Sequence, residues 1–172
     1  MSKLIPDYVF ESIYDITPEK LKEHGVRGVL IDLDGTMASH KAALPPETLR
    51  PFLQGLQQAG LRVLVFSNNN EKRVAQFCAP LGVEHISRAK KPLAAGFRRG
   101  AARLGLPVGQ LAVVGDQIFT DVFGGNCAGA LTCYVETLDR RFFWVNVRYQ
   151  IERRFIARGR RRMEERQRHD AG

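Results

Sequence analysis

The stretch "VLIDLDGTMASH", residues 29–40, decides the fold class. Its apolar run ends in two carboxylates, Asp32 and Asp34, which are followed by Gly35 and Thr36. A buried charge is costly unless something pairs with it. The carboxylates therefore hold a cation, or they are solvated at a strand end or in an Asp-Gly turn, or both. The pattern predicts a buried strand that ends at a polar site.

Along the rest of the chain, apolar strand-like runs alternate with helix-like segments. The predicted strands are 28–33, 61–69, 83–87, 111–116 and 131–136, and the predicted helices are 45–60, 71–82, 92–106 and 119–129. Strands that alternate with helices of this length are typical of right-handed βαβ units and a parallel sheet. Because the strands are almost wholly apolar, we expect helices on both faces. The fold class is therefore α/β, with a mainly parallel central sheet.

Polar side chains follow three of these strands. Asp32 and Asp34 follow the first, Ser67 and its neighbouring asparagines the second, and Asp116 the fourth. The carboxyl ends of parallel strands meet at one edge of a sheet, where ligands bind near the reversal of strand order. We therefore expect these side chains to line one cleft.

This set of residue types indicates phosphoryl transfer. One carboxylate can attack phosphorus and form an acyl-phosphate, while a second protonates the leaving oxygen and then activates water. Mg²⁺ binds to one or two carboxylates together with carbonyl, water and phosphate oxygens. Ser67 and a lysine would hold the remaining phosphoryl oxygens.

Four segments resemble the motifs of the haloacid dehalogenase (HAD) superfamily of phosphatases. They are "DLDGT", "VFSNN", "AKKP" and "VVGDQIFTD", in the family's order, with 35, 24 and 25 residues separating Asp32, Ser67, Lys91 and Asp116. The opening segment, through "DLDGT", is similar to the YqeG-like class IIIA phosphatases, which include the mitochondrial phosphatidylglycerophosphate phosphatase. The resemblance runs to about residue 155 and implies a three-layer α/β/α fold.

The resemblance also implies roles for individual residues. Asp32 is the expected nucleophile and Asp34 the general acid/base. Thr36 orients the loop, Ser67 binds the phosphoryl group, and Lys91 steadies the aspartyl-phosphate. Lys90 is the alternative candidate for this role, but Lys91, which directly precedes Pro92, is the lysine that matches the motif.

The implied cofactor is Mg²⁺, held by Asp32, by the backbone carbonyl of Asp34 and by Asp116. Asp121 supports the metal or pairs with Lys91; its rival role is that of an acid at a helix N-terminus.

Two residues near these motifs have both a functional and a structural interpretation. Asn68 is grouped with Thr36, Ser67 and Lys91 as substrate-binding, although an asparagine there also suits a turn. His40 lies just past the first motif, where it could touch substrate or lie on the surface.

The motif spacing leaves no room for a substantial cap domain. Residues 37–60 hold a loop and one helix, and residues 70–90 a helix, a strand and loops. We therefore expect an open cleft, which suits a bulky or tethered substrate.

The C-terminal segment is strongly basic. Residues 140–172 contain eleven arginines and four acids, a net charge of +7 out of +8 for the chain. We predict a phosphatase core at 1–140 and a basic helix and tail at 141–172, with the last ten or so residues disordered. Such charge suits an anionic partner. Four apolar residues at helical spacing fit a helix that lies in a membrane interface or one that docks on the core: Trp144, Val147, Ile151 and Phe155.

Three function classes follow. The first is a Mg²⁺-dependent phosphomonoesterase acting on a bulky or lipid phosphate such as phosphatidylglycerophosphate. The second is a phosphatase of a nucleotide, sugar phosphate or phosphoprotein. The third is a module that binds RNA or ribosomes through its arginines.

Cysteine usage and the opening residues bear on location. The chain has three cysteines without CxxC spacing, and its opening residues do not resemble a secretory signal. We expect a cytoplasmic protein, with attachment to the inner face of the membrane as the further expectation.

Overall fold

A six-stranded parallel sheet forms the centre of the fold. The structure, a computed structural model, describes residues 2–140 and 142–170. Its strands are β1 (Tyr8–Phe10), β2 (Gly28–Ile31), β3 (Arg62–Phe66), β4 (Glu84–Ile86), β5 (Leu111–Gly115) and β6 (Leu131–Val135). Its α-helices are α1 (Pro18–Lys22), α2 (Leu49–Gln58), α3 (Glu71–Cys78), α4 (Ala94–Leu104), α5 (Phe123–Ala128) and α6 (Phe143–Asp170). A π-helical turn, Ile118–Val122, precedes α5.

The strand order is β1-β6-β5-β2-β3-β4. From β2 the chain builds outward through β3 and β4, and then returns to the other side of β2 for β5 and β6. Strand order therefore reverses at β2, and the residues that follow β2 and β5 face the crevice in which α/β proteins bind ligands.

Alternate residues of the strands pack on opposite faces of the sheet. Val29 and Ile31 lie in an apolar cluster with residues of α1, α2 and α3, whereas Leu30 lies in a second cluster with residues of α4. A third cluster joins β6 to α6 through Tyr134 and Phe155. This arrangement confirms the three-layer α/β/α fold. No cap domain is inserted after β2 or β3 in the described residues.

Helix α6 docks on the core through part of its surface. Phe155 and Ile156 are buried, and Gly159 lies close enough to Pro6 that an added Cβ would come within 2.6 Å of its ring. Trp144 and Ile151 remain 79% and 51% exposed. The predicted apolar stripe is thus divided between a docked side and a solvent-facing side.

The prediction of a disordered end is wrong for the residues that the structure describes, because α6 continues to Asp170. Ion pairs tie the second half of α6 to the core: Arg160 pairs with Glu136, and Arg162 and Arg166 lie 3.8 and 3.6 Å from a carboxylate oxygen of Asp7. Among the described helices, none has the length and apolar character of a membrane span.

Candidate active site

The predicted polar residues meet at the carboxyl edge of the sheet. Most of them line an open cavity of about 170 Å³ beyond the ends of β2, β3 and β5, whereas Thr36, Asp116 and Asp121 are not among its lining residues. Its lining is formed by Asp32, Asp34, His40, Ser67, Asn68, Asn69, Lys91, Gln117 and Thr120.

A buried lysine joins two buried carboxylates at the base of this cavity. Lys91 Nζ donates to Asp32 Oδ1 at 2.5 Å and to Asp121 Oδ1 at 2.6 Å. All three side chains are almost fully buried. Lys90, the rival lysine, is exposed. The geometry therefore favours Lys91, and it places Asp121 inside the cluster as the partner of that lysine.

Burial and crowding shift the proton affinity of this cluster. Burial raises the pKa of Asp32 to about 7; the charges of Asp121 and Asp116 add to the rise, while Lys91 opposes it. For Lys91, burial acts to lower the pKa, but the two carboxylates outweigh it and raise the pKa above its usual value. The lysine therefore stays charged, and a further cation beside Asp32 would favour its ionised form.

Asp116 is fully buried and is held from two sides. Its Oδ2 accepts from Arg148 Nη2 of α6 at 2.9 Å, and its Oδ1 accepts from the Thr36 hydroxyl at 3.4 Å. Thr36 thus faces Asp116 and is not part of the cavity lining. Gly35 has φ of +88°, and an added Cβ would lie 2.6 Å from Asp116 Oδ2. A residue without a side chain at position 35 lets the loop pass against this carboxylate.

Asp34 has its own partners. Arg73 Nη2 donates to Asp34 Oδ1, and Asn69 Nδ2 donates to Asp34 Oδ2, both at 2.9 Å. Arg73 also donates to the carbonyl of Ala42, which ties the loop after β2 to α3. The two donors hold the Asp34 carboxylate in one orientation at the mouth of the cavity.

The loop after β3 supports the lysine. Asn68 Oδ1 accepts from the backbone N–H of Lys91 at 2.8 Å, and its Nδ2 donates to the Lys91 carbonyl at 3.0 Å. Ser67 Oγ accepts from the backbone N–H of Asn69 at 3.1 Å and lines the cavity. Asn68 therefore positions Lys91 as well as lining the cavity, and Asn70 caps α3.

Helix α6 braces the segment that carries Asp116 and Asp121. Glu152 is 1% exposed, and its Oε1 accepts from the backbone N–H of Ile118 at 2.9 Å. Burial raises the pKa of Glu152 to about 7, against the lowering effect of Arg148. The basic C-terminal segment thus contributes two charged side chains to the surroundings of the site.

The site carries an excess of negative charge. The network consists of the carboxylates Asp32, Asp34, Asp116, Asp121 and Glu152 and the cations Arg73, Lys91 and Arg148. When all are ionised, the five carboxylates exceed the three cations by two charges, which equals the charge of one Mg²⁺. One carboxylate oxygen from each of Asp32, Asp116 and Asp121 lies within 4.8 Å of the other two. Oxygen ligands in this number fit a hard divalent cation.

His40 lines the cavity beside these groups, and its ring Nδ1 is bonded to Asp139. Asn69, one of the asparagines expected in the cleft, lines it and bonds to Asp34, but the sequence pattern did not reveal several other partners of the site: Arg73 on Asp34, Arg148 on Asp116, Glu152, and Asp139. No local motif marks them, because each meets its partner through the tertiary fold.

Known proteins resemble this chain in sequence and in fold. Residues 8–129 match the haloacid dehalogenase-like hydrolase family. The chain is 36% identical to the "probable phosphatase YqeG" of Bacillus subtilis over 154 residues, which cover 89% of this chain and 90% of that protein. It is 30% identical to the chloroplastic phosphatidylglycerophosphate phosphatase 1 of Chlamydomonas reinhardtii, covering 91% of this chain but 62% of that one.

A solved structure agrees at the level of the fold. The 3-deoxy-D-manno-octulosonate 8-phosphate phosphatase of Moraxella catarrhalis, in complex with magnesium ion, phosphate ion and the sugar acid, superposes with a TM-score of 0.50 at 14% identity; the match covers 81% of this chain and 94% of that one. Because the family match spans most of the chain and the bacterial relative matches over nearly its full length, this chain is a member of the haloacid dehalogenase-like hydrolases, among the YqeG-like phosphatases.

Proposed function

We propose that this phosphatase is a Mg²⁺-dependent phosphomonoesterase that works through an aspartyl-phosphate on Asp32, and that it acts on a bulky or lipid phosphate. The observation that carries the mechanism is the buried Asp32–Lys91–Asp121 group beside Asp116, in which three acids surround one lysine. A phosphorylated substrate entering such a site needs a divalent cation to offset the charge.

The proposed reaction has two steps, the formation of the aspartyl-phosphate and its hydrolysis. A carboxylate oxygen of Asp32 attacks phosphorus, and the bond from phosphorus to the leaving oxygen breaks. Asp34, fixed by Arg73 and Asn69, gives its proton to that oxygen. Asp34 then removes a proton from water, whose oxygen attacks the phosphorus of the aspartyl-phosphate and releases inorganic phosphate and Asp32.

The remaining polar groups would bind the metal ion and the phosphoryl group and neutralise their charge. Asp32, Asp116 and Asp121 are the side chains that would hold Mg²⁺, together with the backbone carbonyl of Asp34. The bound ion would neutralise phosphoryl oxygens and acids together. Ser67 and Lys91 face the same cavity, so they can donate to the transferred phosphoryl group.

Two features support a bulky or lipid substrate. The cavity is small and open, and no inserted domain covers it in the described residues, so most of a large substrate would stay outside. Plant and algal relatives named phosphatidylglycerophosphate phosphatases share 30% identity with this chain, which spans 46% and 62% of their lengths. We take phosphatidylglycerophosphate as the leading candidate.

The first half of α6 supports a membrane as partner. Its exposed side carries Phe143, Trp144, Val147 and Ile151, with Trp144 79% exposed. Apolar and aromatic residues on a helix rich in arginine suit the interface of an anionic bilayer. Since Arg148 of the same helix bonds to Asp116, this surface lies next to the catalytic site. Peripheral attachment to the cytoplasmic face of a membrane would bring lipid phosphates to the cavity.

The rival function, an RNA-binding module, has less support. Arg160, Arg162 and Arg166 are engaged with carboxylates of the core, and Arg148 with Asp116. These ion pairs assign several arginines to docking rather than to a free basic tail.

The phosphatase proposal is tested by phosphate release. Phosphatidylglycerophosphate in mixed micelles should be hydrolysed by the purified protein in the presence of Mg²⁺, and a chelator should stop the reaction. Sugar phosphates, nucleotides and a phosphopeptide serve as comparison substrates. A clear preference for one of these would contradict the lipid assignment, and turnover that is unaffected by chelator would contradict the metal mechanism.

The membrane proposal is tested by a point variant, because cutting α6 would also remove its docking contacts. Phe143→Ser with Trp144→Ser should weaken sedimentation with anionic vesicles and lower the ratio of vesicle-borne to micellar substrate turnover. Arg161→Gln is a matched control on the exposed side of the later helix. Equal vesicle binding by the double variant and the unmodified protein would refute the role of the aromatic pair.

A further inference from the structure

His40 lies in the wall of the catalytic cavity without a part in the two chemical steps. Its side chain is 46% exposed, and it shares the cavity with Asp34 and Thr120. Family motifs do not account for it, since it lies six positions after Asp34 in the loop that follows β2.

A fully buried carboxylate holds the ring. Asp139, just beyond β6, bonds to His40 Nδ1 and also accepts from the His40 backbone N–H at 2.9 Å and from the Ser39 hydroxyl at 2.5 Å. Burial acts to raise the pKa of Asp139, but the hydrogen bonds from His40 and Ser39 outweigh it and keep the pKa below its usual value. Asp139 is therefore ionised, and it orients the His40 ring through Nδ1.

This contact has a purely structural interpretation, in which Asp139 only fastens the loop. Ser39 and the His40 backbone already provide that fastening without the ring. The ring adds a second function because Nδ1 is committed to Asp139, which leaves Nε2 as the nitrogen that can reach a ligand.

The loop places His40 on the leaving-group side of the cavity. It runs past the general acid, since Ala38 pairs with Asp34 and the Ala42 carbonyl accepts from Arg73, which itself binds Asp34. Lys91, which steadies the transferred phosphoryl group, follows Ala89, which packs in the α4 cluster, whereas α3, which carries Arg73, packs in the cluster on the other face of the sheet. A substrate with its phosphorus at Asp32 would direct its alcohol portion toward Asp34 and the His40 loop.

We propose that His40, oriented by Asp139, binds the alcohol portion of the substrate and favours alcohols that carry a second anionic group, such as a phosphodiester. In the proposed complex each ring nitrogen carries a proton, so that Nδ1 donates to Asp139 and Nε2 donates a charge-assisted hydrogen bond to an anionic oxygen of the substrate. This inference rests on the proposed phosphatase function and adds the class of substrate that the site prefers.

The test compares two substrates that have the same scissile bond. Glycerophosphoglycerol phosphate carries the phosphodiester, and glycerol phosphate does not. His40→Gln keeps a polar side chain of similar reach but removes the imidazole. Ser39→Ala removes one hydrogen bond to Asp139 and keeps the His40 ring. Thermal midpoints of both variants check that the loop remains folded.

We expect His40→Gln to lower the ratio of kcat/KM for the two substrates about tenfold, chiefly through the KM of the diester-bearing one. Ser39→Ala should keep that ratio. A second readout is competitive inhibition: glycerophosphoglycerol should bind about tenfold more weakly to His40→Gln, relative to inorganic phosphate.

Two results would overturn the proposal. An equal loss on both substrates would assign His40 to fastening the loop, and an unchanged ratio would remove it from substrate binding altogether. Failure of the unmodified enzyme to hydrolyse either substrate in the presence of Mg²⁺ would be a different outcome, which refutes the proposed phosphatase function and this inference with it.

Discussion

Replacing Lys91 by methionine is the perturbation that the site makes easiest to quantify. The substitution retains an unbranched side chain but deletes a buried charge that bonds to Asp32 and Asp121 at 2.5 and 2.6 Å. Both carboxylates are at most 7% exposed, so little solvent is available to replace the lysine. Removing one partner of a buried ion pair costs roughly 3–5 kcal/mol, which lowers the melting temperature by ~10 °C in a chain of this size.

Urea unfolding in the presence of chelator measures this cost, and a double variant provides the control. In Lys91→Met with Asp121→Asn, one negative charge leaves together with the positive one, so much of the lost stability should return. Phosphate release should stay at background in both variants, because neither has the cation that steadies the aspartyl-phosphate. A double variant that is no more stable than the single variant would refute the assignment of Lys91 as the counterion of these two acids.

Three further predictions concern the nucleophile, the metal and pH. Asp32→Asn should reduce phosphate release to background while circular dichroism shows an intact fold; activity near that of the unmodified enzyme would exclude Asp32 as nucleophile. Asp116→Ala should raise the Mg²⁺ concentration needed for half-maximal activity by ~10-fold or more, and an unchanged Mg²⁺ titration would remove Asp116 from the metal site. Because the pKa of Asp32 is raised to about 7, its contribution to the stability of the metal-free protein is complete below about pH 4 and is lost as pH rises through about 7. Thermal melts over a pH series should show this loss in chelator and much less of it with Mg²⁺; equal slopes would contradict the prediction.

The sheet and the motif-borne part of the site follow a local pattern, and so they could be predicted. The three strands that carry site residues have those residues after their last apolar one, as in β2, where Ile31 ends the strand and Asp32 follows. The edge strand β1 was not predicted. It has three residues, and it is defined by pairing with β6, as in Tyr8 opposite Cys133, which lies far away in the chain.

The residues that hold the site residues in place could not be predicted, because they too lie far along the chain from their partners. Arg148 and Glu152 lie more than 30 positions from the groups they bond, and an arginine in a basic segment looks the same whether it is solvated or paired. Asp139 likewise meets His40 across 99 positions. The sequence allowed a C-terminal helix that docks on the core, but it did not indicate these contacts, because charge composition does not show which arginine turns inward.

The bracing of Ile118 by Glu152 has a consequence for how the enzyme matures on the ribosome. Synthesis runs from the N-terminus, so every residue of the four motifs leaves the exit tunnel before α6 does. A nascent chain that ends near residue 140 would therefore hold all the predicted catalytic side chains while Asp116 and the π-helical turn lack Arg148 and Glu152. The hydrolase would become competent only late in translation, after the helix that follows its last motif has folded back onto the sheet.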